Sequence, residues 1–386
     1  MINIFGGYMK NRFLTKLSAL CLALIMLVTL IGCDSPFESK SSGGVSPSGG
    51  ADVPEAQQIK NDVIVEGDMT IHFLELGNKY TGDCTYIKAG ETDILIDAGS
   101  KASSISTIDS YLSRYVTDGI LEYVIVTHAH EDHYAGFATT EKKDSLFDLY
   151  ECGVIIDFAQ ITNGKDEKTQ YKNYIRERDA EVEKGAEHYT AAEFISQKGG
   201  VAEIGENMTL TILDSYFYYN RSAEENNHSV CTLISDGTNN YLFTGDLELE
   251  GEEKLVEMNE LPEVKVFKAG HHGSKTSSNE VLLEVIKPQI VCVCCCCGSP
   301  QYTDVDENQF PTQMFINRVA PYTDKIYVTT ICKDYEKDKF ESMNGNIVIQ
   351  SVSGEVAVIC SGSTDILKES KWFKEHRTLP KAWGGE

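Results

Sequence analysis

The sequence predicts an α/β fold in which two mixed β-sheets pack face to face with helices on the outer faces, all in one domain. Short β-branched and aromatic runs recur along the chain, bounded by glycine-bearing turns. Helical stretches fall between these runs instead of gathering at one end. No repeat with a period of roughly 20–50 residues interrupts the order, and 386 residues suffice for one large core.

In order, "MTIHFLELG" (Met69 to Gly77) and "DCTYIKAGETDILIDAGS" (Asp83 to Ser100) read as three short strands. Ser103 to Gly119 places Ile105, Ile108, Leu112 and Val116 at helical spacing. "LEYVIVTHAH" is a strand running into a histidine-rich loop, and "YECGVIIDFAQ" is the next strand. Lys168 to Ala186 reads as a charged, solvated helix. From Val201 onward strands dominate: "MTLTILDS", "SVCTLISDG", "NYLFTGDL", "EVKVFKAG", "PQIVCVCCCC", "DKIYVTT" and "GNIVIQSVSGEVAVI". Two helical segments, "LEGEEKLVEMN" and "SSNEVLLEVI", lie among them.

The N-terminus reads as a targeting segment. Lys10, Arg12 and Lys16 precede an apolar run, Leu17 to Gly32, that is too short for a confident membrane span. It closes on "LIGC", which resembles a bacterial lipobox and implies cleavage before a diacylated Cys33. Residues 1–32 are therefore expected to be a lipoprotein signal peptide, and 33–61, rich in Ser, Gly and Pro, a flexible tether. Residues 62–362 form the folded domain, and 363–386 a loose tail or a helix packing back. The expected location is the outer face of the cytoplasmic membrane, held there by the lipid on Cys33.

A formal charge of −25, spread along the chain, offers no basic stripe to displace counterions from nucleic acid. It argues against high-affinity DNA binding, though not against phosphodiester chemistry at a metal centre. Of twelve cysteines, five crowd into "VCVCCCC" at Cys292, Cys294, Cys295, Cys296 and Cys297. Neighbouring strand residues point to opposite faces, so the run cannot close one tetrahedral site; it reads as a buried core strand.

The chemistry concentrates in "VTHAHEDHYAG", Val126 to Gly136. His128, His130, Asp132 and His133 leave a strand together, and imidazole nitrogen with carboxylate oxygen suits divalent zinc, manganese or iron. Asp246 in "FTGDLE", His228 in "NNHSV", and His271 and His272 in "KAGHHGS" also stand at strand ends, so six of the nine histidines are placed to converge. Two metals sharing these ligands would bridge a hydroxide nucleophile.

"HAHEDH" resembles the HxHxDH signature of the metallo-β-lactamase superfamily, and "LIDAG" (Leu95 to Gly99) its first motif. "NNHSV", "LFTGD", "FKAGHHGSKTSS" and the opening "FLELGN…GD" resemble the ComEC-like subgroup, the hydrolase domain of a DNA-uptake channel protein. The resemblance implies an αββα sandwich and two divalent ions, zinc ahead of manganese. The strand-end positions of the candidate ligands allow His128 and His130 to share one ion, Asp132 and His133 the other, and Asp246 to bridge both. Asp97 is implied to orient a ligand; His271, coming first after the strand, is expected to bind metal, and His272 to face the substrate or leaving group. His228 is a further candidate ligand, although the subgroup often carries Asn there. Ser274, Lys275 and Thr276 are candidates to hold a phosphate oxygen. Relatives also carry a "YGHP"-like segment where this chain has "NQFPTQ", Asn308 to Gln313, so a histidine able to act on substrate is missing.

The expected reaction is hydrolysis of a phosphoester: cell-wall polymer, nucleic acid or small molecule. Alternatives are a teichoic-acid phosphorylcholine esterase, a β-lactamase or lactonase, and a non-catalytic wall-binding module. No stable protein partner is indicated.

Overall fold

A computed structural model describes residues 53–140 and 143–386. The signal-peptide expectation, Cys33 and the tether up to residue 52 lie outside the described residues.

The chain first lays down β1 (Gln57–Gln58), β2 (Met69–Phe73), β3 (Thr85–Ala89), β4 (Thr92–Ile96), β5 (Ile120–Ile125), β6 (Glu151–Asp157) and β7 (Glu187–Thr190). It then crosses to a second sheet with β8 (Val201–Gly205), β9 (Met208–Ile212), β10 (Thr232–Ser235) and β11 (Asn240–Phe243). The same sheet continues with β12 (Val266–Lys268), β13 (Ile290–Cys297), β14 (Ile326–Asp334) and β15 (Lys339–Ser342). Finally β16 (Ile347–Val352) and β17 (Glu355–Cys360) return to the first sheet. The strand orders are β1-β17-β16-β2-β3-β4-β5-β6-β7 and β15-β14-β13-β12-β11-β10-β9-β8. Both sheets are mixed: β4 to β7 and β11 to β14 pair in parallel, and hairpins such as β2–β3, β9–β10 and β16–β17 are antiparallel.

Side-chain alternation explains how the sheets face each other. On β13, Cys292 and Cys294 join the core that also holds Phe73 and Phe243, whose rings stack at 6.2 Å across the two sheets. Val291, Val293, Cys295 and Cys297 point the other way, into a second apolar layer under the helices. All eight β13 residues are buried, so the cysteine run is a core strand, each thiol acting as a small apolar group.

The helices that matter below are α1 (Ile105–Leu112), α2 (Glu131–Tyr134), α3 (Thr169–Lys184), α4 (Leu249–Met258), α5 (Glu280–Ile286), α6 (Gln313–Val319) and α7 (Lys371–His376). In α1, Ile105, Ile108 and Leu112 form the buried stripe that their spacing predicts. Residues 363–386 pack back: Leu367, Trp372 and Phe373 are buried in the second layer. At the other end β1 pairs with Ile359 and Cys360 of β17, so ordered sheet begins five residues before position 62. Among the described residues no helix is long and apolar enough to cross a membrane.

Candidate metal centre

The centre lies where β4, β5, β11 and β12 end. Their parallel register brings four loops to one edge, and backbone hydrogen bonds tie them together. Asp83 N donates to Asp132 O (3.0 Å), Gly99 N to Asp83 O (2.8 Å) and Ala98 N to His133 O (2.7 Å). Gly99 is required there, because a Cβ at that position would sit 1.6 Å from the Asp132 carbonyl. Three side chains at this edge sit on backbones with positive φ: Asp97 (59°), His271 (47°) and His272 (55°). For non-glycine residues that conformation costs on the order of 1 kcal/mol each, and the surrounding contacts hold it.

Each imidazole is set by what its second nitrogen meets. His133 Nδ1 donates to Asp97 Oδ2 at 2.8 Å, and Thr127 N and Oγ1 lock that carboxylate, each at 2.8 Å. His272 Nδ1 donates to the Cys294 carbonyl at 3.0 Å, with Asp83 Oδ1 at 3.2 Å. Both histidines therefore turn Nε2 inward, where Asp246 Oδ2 lies 3.1 Å from His133 and 3.3 Å from His272. Asp132 Oδ2 closes the group 3.6 Å from His272 Nε2. Beside it, His128 Nε2 and His130 Nδ1 converge to 2.9 Å. His128 Nδ1 backs onto Thr127 Oγ1 (3.1 Å) and Ser229 Oγ (3.4 Å).

This donor set fits divalent cations. His133 Nε2, His272 Nε2 and Asp246 Oδ1 are buried without a hydrogen-bond partner, a costly state that a bound ion relieves. Burial keeps His128 and His130 neutral, the form that ligates. Burial opposes charge on His133 and His272 as well, yet Asp246 with Asp97, and Asp246 with Asp83, raise their pKa values well above the usual imidazole range. The same coupling, against the cost of burial, holds Asp246 and Asp132 below the usual carboxylate range. A bound cation would supply that positive charge in place of the Nε2 protons.

Asp83, His133, Asp246 and His272 form the one such group of potential ligands among the described residues close enough to share an ion. Asp83 nevertheless reads as an orienting group, because its oxygens face the Nδ1 sides of His272 and His133 (3.2 and 3.7 Å) and pair with buried Lys268. In this respect it acts on His272 as Asp97 acts on His133.

Several side chains stand elsewhere than their expected roles would place them. His272, expected to face substrate, is aimed at Asp132 and Asp246. The left-handed kink at 271–272 instead turns His271 toward the rim, with Nδ1 3.0 Å from Thr276 Oγ1 and Nε2 3.8 Å from Asp246 Oδ2. His228 is not brought to the centre: the turn Glu225–His228 sets its Nε2 to accept from Ser222 N (3.0 Å) and its Nδ1 3.7 Å from Glu225. Ser274, Lys275 and Thr276 do not line the cleft. The Ser274 and Thr276 hydroxyls bond each other at 3.1 Å to close their own turn, and Lys275 Nζ donates to Asn308 Oδ1.

The open side is a cleft of about 440 Å³ lined by His130, Asp132, Asp246, His271 and Tyr302, with Lys101, Lys165 and Lys168 around it. Sequence reasoning missed Asp83, Lys268 and the lysines. A lone lysine inside the apolar strand "VFK" signals a buried acidic partner. The cleft lysines come from separate polar loops and carry no local signal.

The family model described as "Metallo-beta-lactamase superfamily" matches residues 77–142, the segment carrying Asp83, Asp97 and the run His128 to His133. Recombination protein 2 of Haemophilus influenzae is 29% identical over 217 residues, covering 55% of this chain and 23% of that protein. ComE operon protein 3 of Bacillus subtilis is 28% identical over 176 residues, covering 44% of this chain and 19% of that protein. The chain thus spans about a fifth of the length of these two relatives. Among solved structures, the metallo-beta-lactamase fold protein YhfI of Bacillus subtilis overlaps 69% of this chain and 96% of its own, at 13% identity and a TM-score of 0.39. The chain has the αββα metallo-beta-lactamase fold, and over residues 77–142 it is similar to the metallo-beta-lactamase superfamily.

Proposed function

We propose that the protein is a metal-dependent phosphoesterase, acting most readily on phosphodiesters. The observation that carries this reading is the contrast between the chain and its cleft. The chain is strongly acidic, yet Lys101, Lys165 and Lys168 surround a cleft that opens onto the histidine–aspartate cluster. Cationic side chains at the mouth of a metal centre suit an anionic substrate better than a neutral acyl compound.

In this reading His128 and His130 would hold one divalent ion, Asp132, His133 and His272 would hold a second, and Asp246 lies where it could contribute to either. Bound there, two such ions supply Lewis acidity toward phosphoryl oxygens and acidify a water at neutral pH. Asp97 and Asp83 fix the two imidazoles so that their Nε2 lone pairs stay aimed inward. Lys268 neutralises Asp83 and keeps that carboxylate from competing for a cation. Lys101 and Lys165 are already tied to Glu131 and the Ala129 carbonyl, which leaves Lys168 the freest to meet a phosphate. The "LIGC" tetrad supports placing the activity at the outer face of the cytoplasmic membrane, lipid-anchored through Cys33.

The test is turnover of bis-p-nitrophenyl phosphate, p-nitrophenyl phosphorylcholine and nitrocefin by the metal-loaded full chain in detergent. Turnover of the phosphodiester is expected. Cleavage of nitrocefin alone overturns the reading in favour of acyl chemistry. Silence on all three with metal bound favours a wall-binding module.

A further inference from the structure

We propose that the Tyr302 hydroxyl is a catalytic group that donates a hydrogen bond to the departing oxygen of the phosphoester; this rests on the phosphoesterase reading above. Tyr302 lies on the loop between β13 and α6, and its side chain leans back over the metal centre. Its hydroxyl donates to Asp132 Oδ2 at 2.6 Å, on the cleft side of the cluster. Although 54% exposed as a residue, it lines the cleft together with His130, Asp246 and His271.

The same loop explains why a tyrosine is needed. Phe310 occupies the wall beside the two adjacent histidines, its ring 5.8 Å from rim His271 and 5.9 Å from His272. In "NQFPTQ" it is a residue with no polar atom to offer a substrate. Tyr302 rests against that ring at 5.5 Å and brings a hydroxyl over the same wall. The loop is braced rather than loose. Gly298 N donates to Phe310 O (2.8 Å), Thr81 N to Gln301 Oε1 (2.8 Å), and Arg377 to the carbonyls of Gln309 and Pro311 (2.8 and 3.1 Å). A donor on a braced loop, aimed at one edge of a metal centre, is positioned to meet charge that develops on a leaving oxygen.

In the step itself, a water oxygen forms the new P–O bond and the ester P–O bond breaks, its electron pair going to the departing oxygen. A water proton ends on that oxygen, and Tyr302 keeps its own, its O–H turned from Asp132 Oδ2 to the departing oxygen. The hydrogen bond is worth most where negative charge on the leaving oxygen is greatest, so its value depends on the leaving group.

The test compares wild type with Tyr302→Phe on 4-nitrophenyl methyl phosphate and phenyl methyl phosphate, with metal content measured in both proteins. The expected result is unchanged metal content, a loss of less than about threefold on the nitrophenyl ester and a loss of about 100-fold on the phenyl ester. Equal losses on both esters, or a variant that loses metal together with activity, would reduce Tyr302 to a support for Asp132 and overturn the proposal. A metal-loaded wild type that hydrolyses neither ester overturns the phosphoesterase reading itself.

Discussion

At the scale of single residues, the centre is governed by which imidazole nitrogen each acceptor claims. Asp97 takes the Nδ1 proton of His133 and the Cys294 carbonyl that of His272, with Asp83 Oδ1 3.2 Å away, so the inward-facing Nε2 atoms are assigned by hydrogen bonding. The adjacent pair His271 and His272 separates on the same principle. Asp132→Ala and His272→Ala should each abolish turnover and lower bound metal by about one equivalent, by analogy with loss of a direct ligand. His271→Ala should keep its metal within about 20% of wild type and lose only part of its activity, because that ring bonds Thr276 at the rim. Elemental analysis alongside kinetics checks both; metal loss in His271→Ala with retention in His272→Ala would reverse the assignment.

At the scale of elements, the loop carrying both histidines is held from behind by α4. Glu252 is buried and accepts from Ser278 N, Asn279 N (2.9 Å) and Asn279 Nδ2 (2.7 Å), directly after the "GHHGS" turn. Burial raises its pKa to about 7 despite those bonds, so the carboxyl is retained at an electrostatic cost for the sake of the turn. Glu252→Ala should destabilise the fold by about 3 kcal/mol, since three buried donors lose their acceptor, and thermal or urea unfolding measures it. Elements with a clean period were legible in the sequence. The β-branched strands β2 to β6, the stripe Ile105–Ile108–Leu112 and the cysteine strand all appear where expected, because burial on one or both faces imposes the pattern. The two-residue β1, the edge strands β7 and β8, and β15 were not legible, being short or partly exposed and lacking that constraint. In the centre, the motifs marked which residues gather, but not which way they face. The turn that diverts His228 and the kink that separates His271 from His272 are tertiary outcomes with no sequence period.

At the scale of the whole molecule, stability depends on pH through groups far from the centre. His72 on β2 is buried among Tyr86, Tyr111 and Tyr115, between the Tyr111 and Thr70 hydroxyls. Burial, with the charge of Arg114, lowers its pKa to about 3 from a usual value of 6.5. The unfolded chain therefore takes up a proton that the folded chain refuses, and stability falls as pH drops below 6.5 toward 3. Wild type should lose about 1.4 kcal/mol more per pH unit in that window than His72→Gln, as read from urea unfolding at successive pH values; parallel slopes would show that His72 is not the cause. The closing segment ties this global stability to the site. Arg377, which holds the loop of Tyr302 and Phe310, lies under the Trp372 ring at 4.4 Å, and Trp383 packs on Phe373. The chain has two tryptophans, and both are in this segment. Its intrinsic indole emission therefore comes wholly from the brace of the catalytic loop, giving the protein a built-in optical gauge of whether that brace is seated.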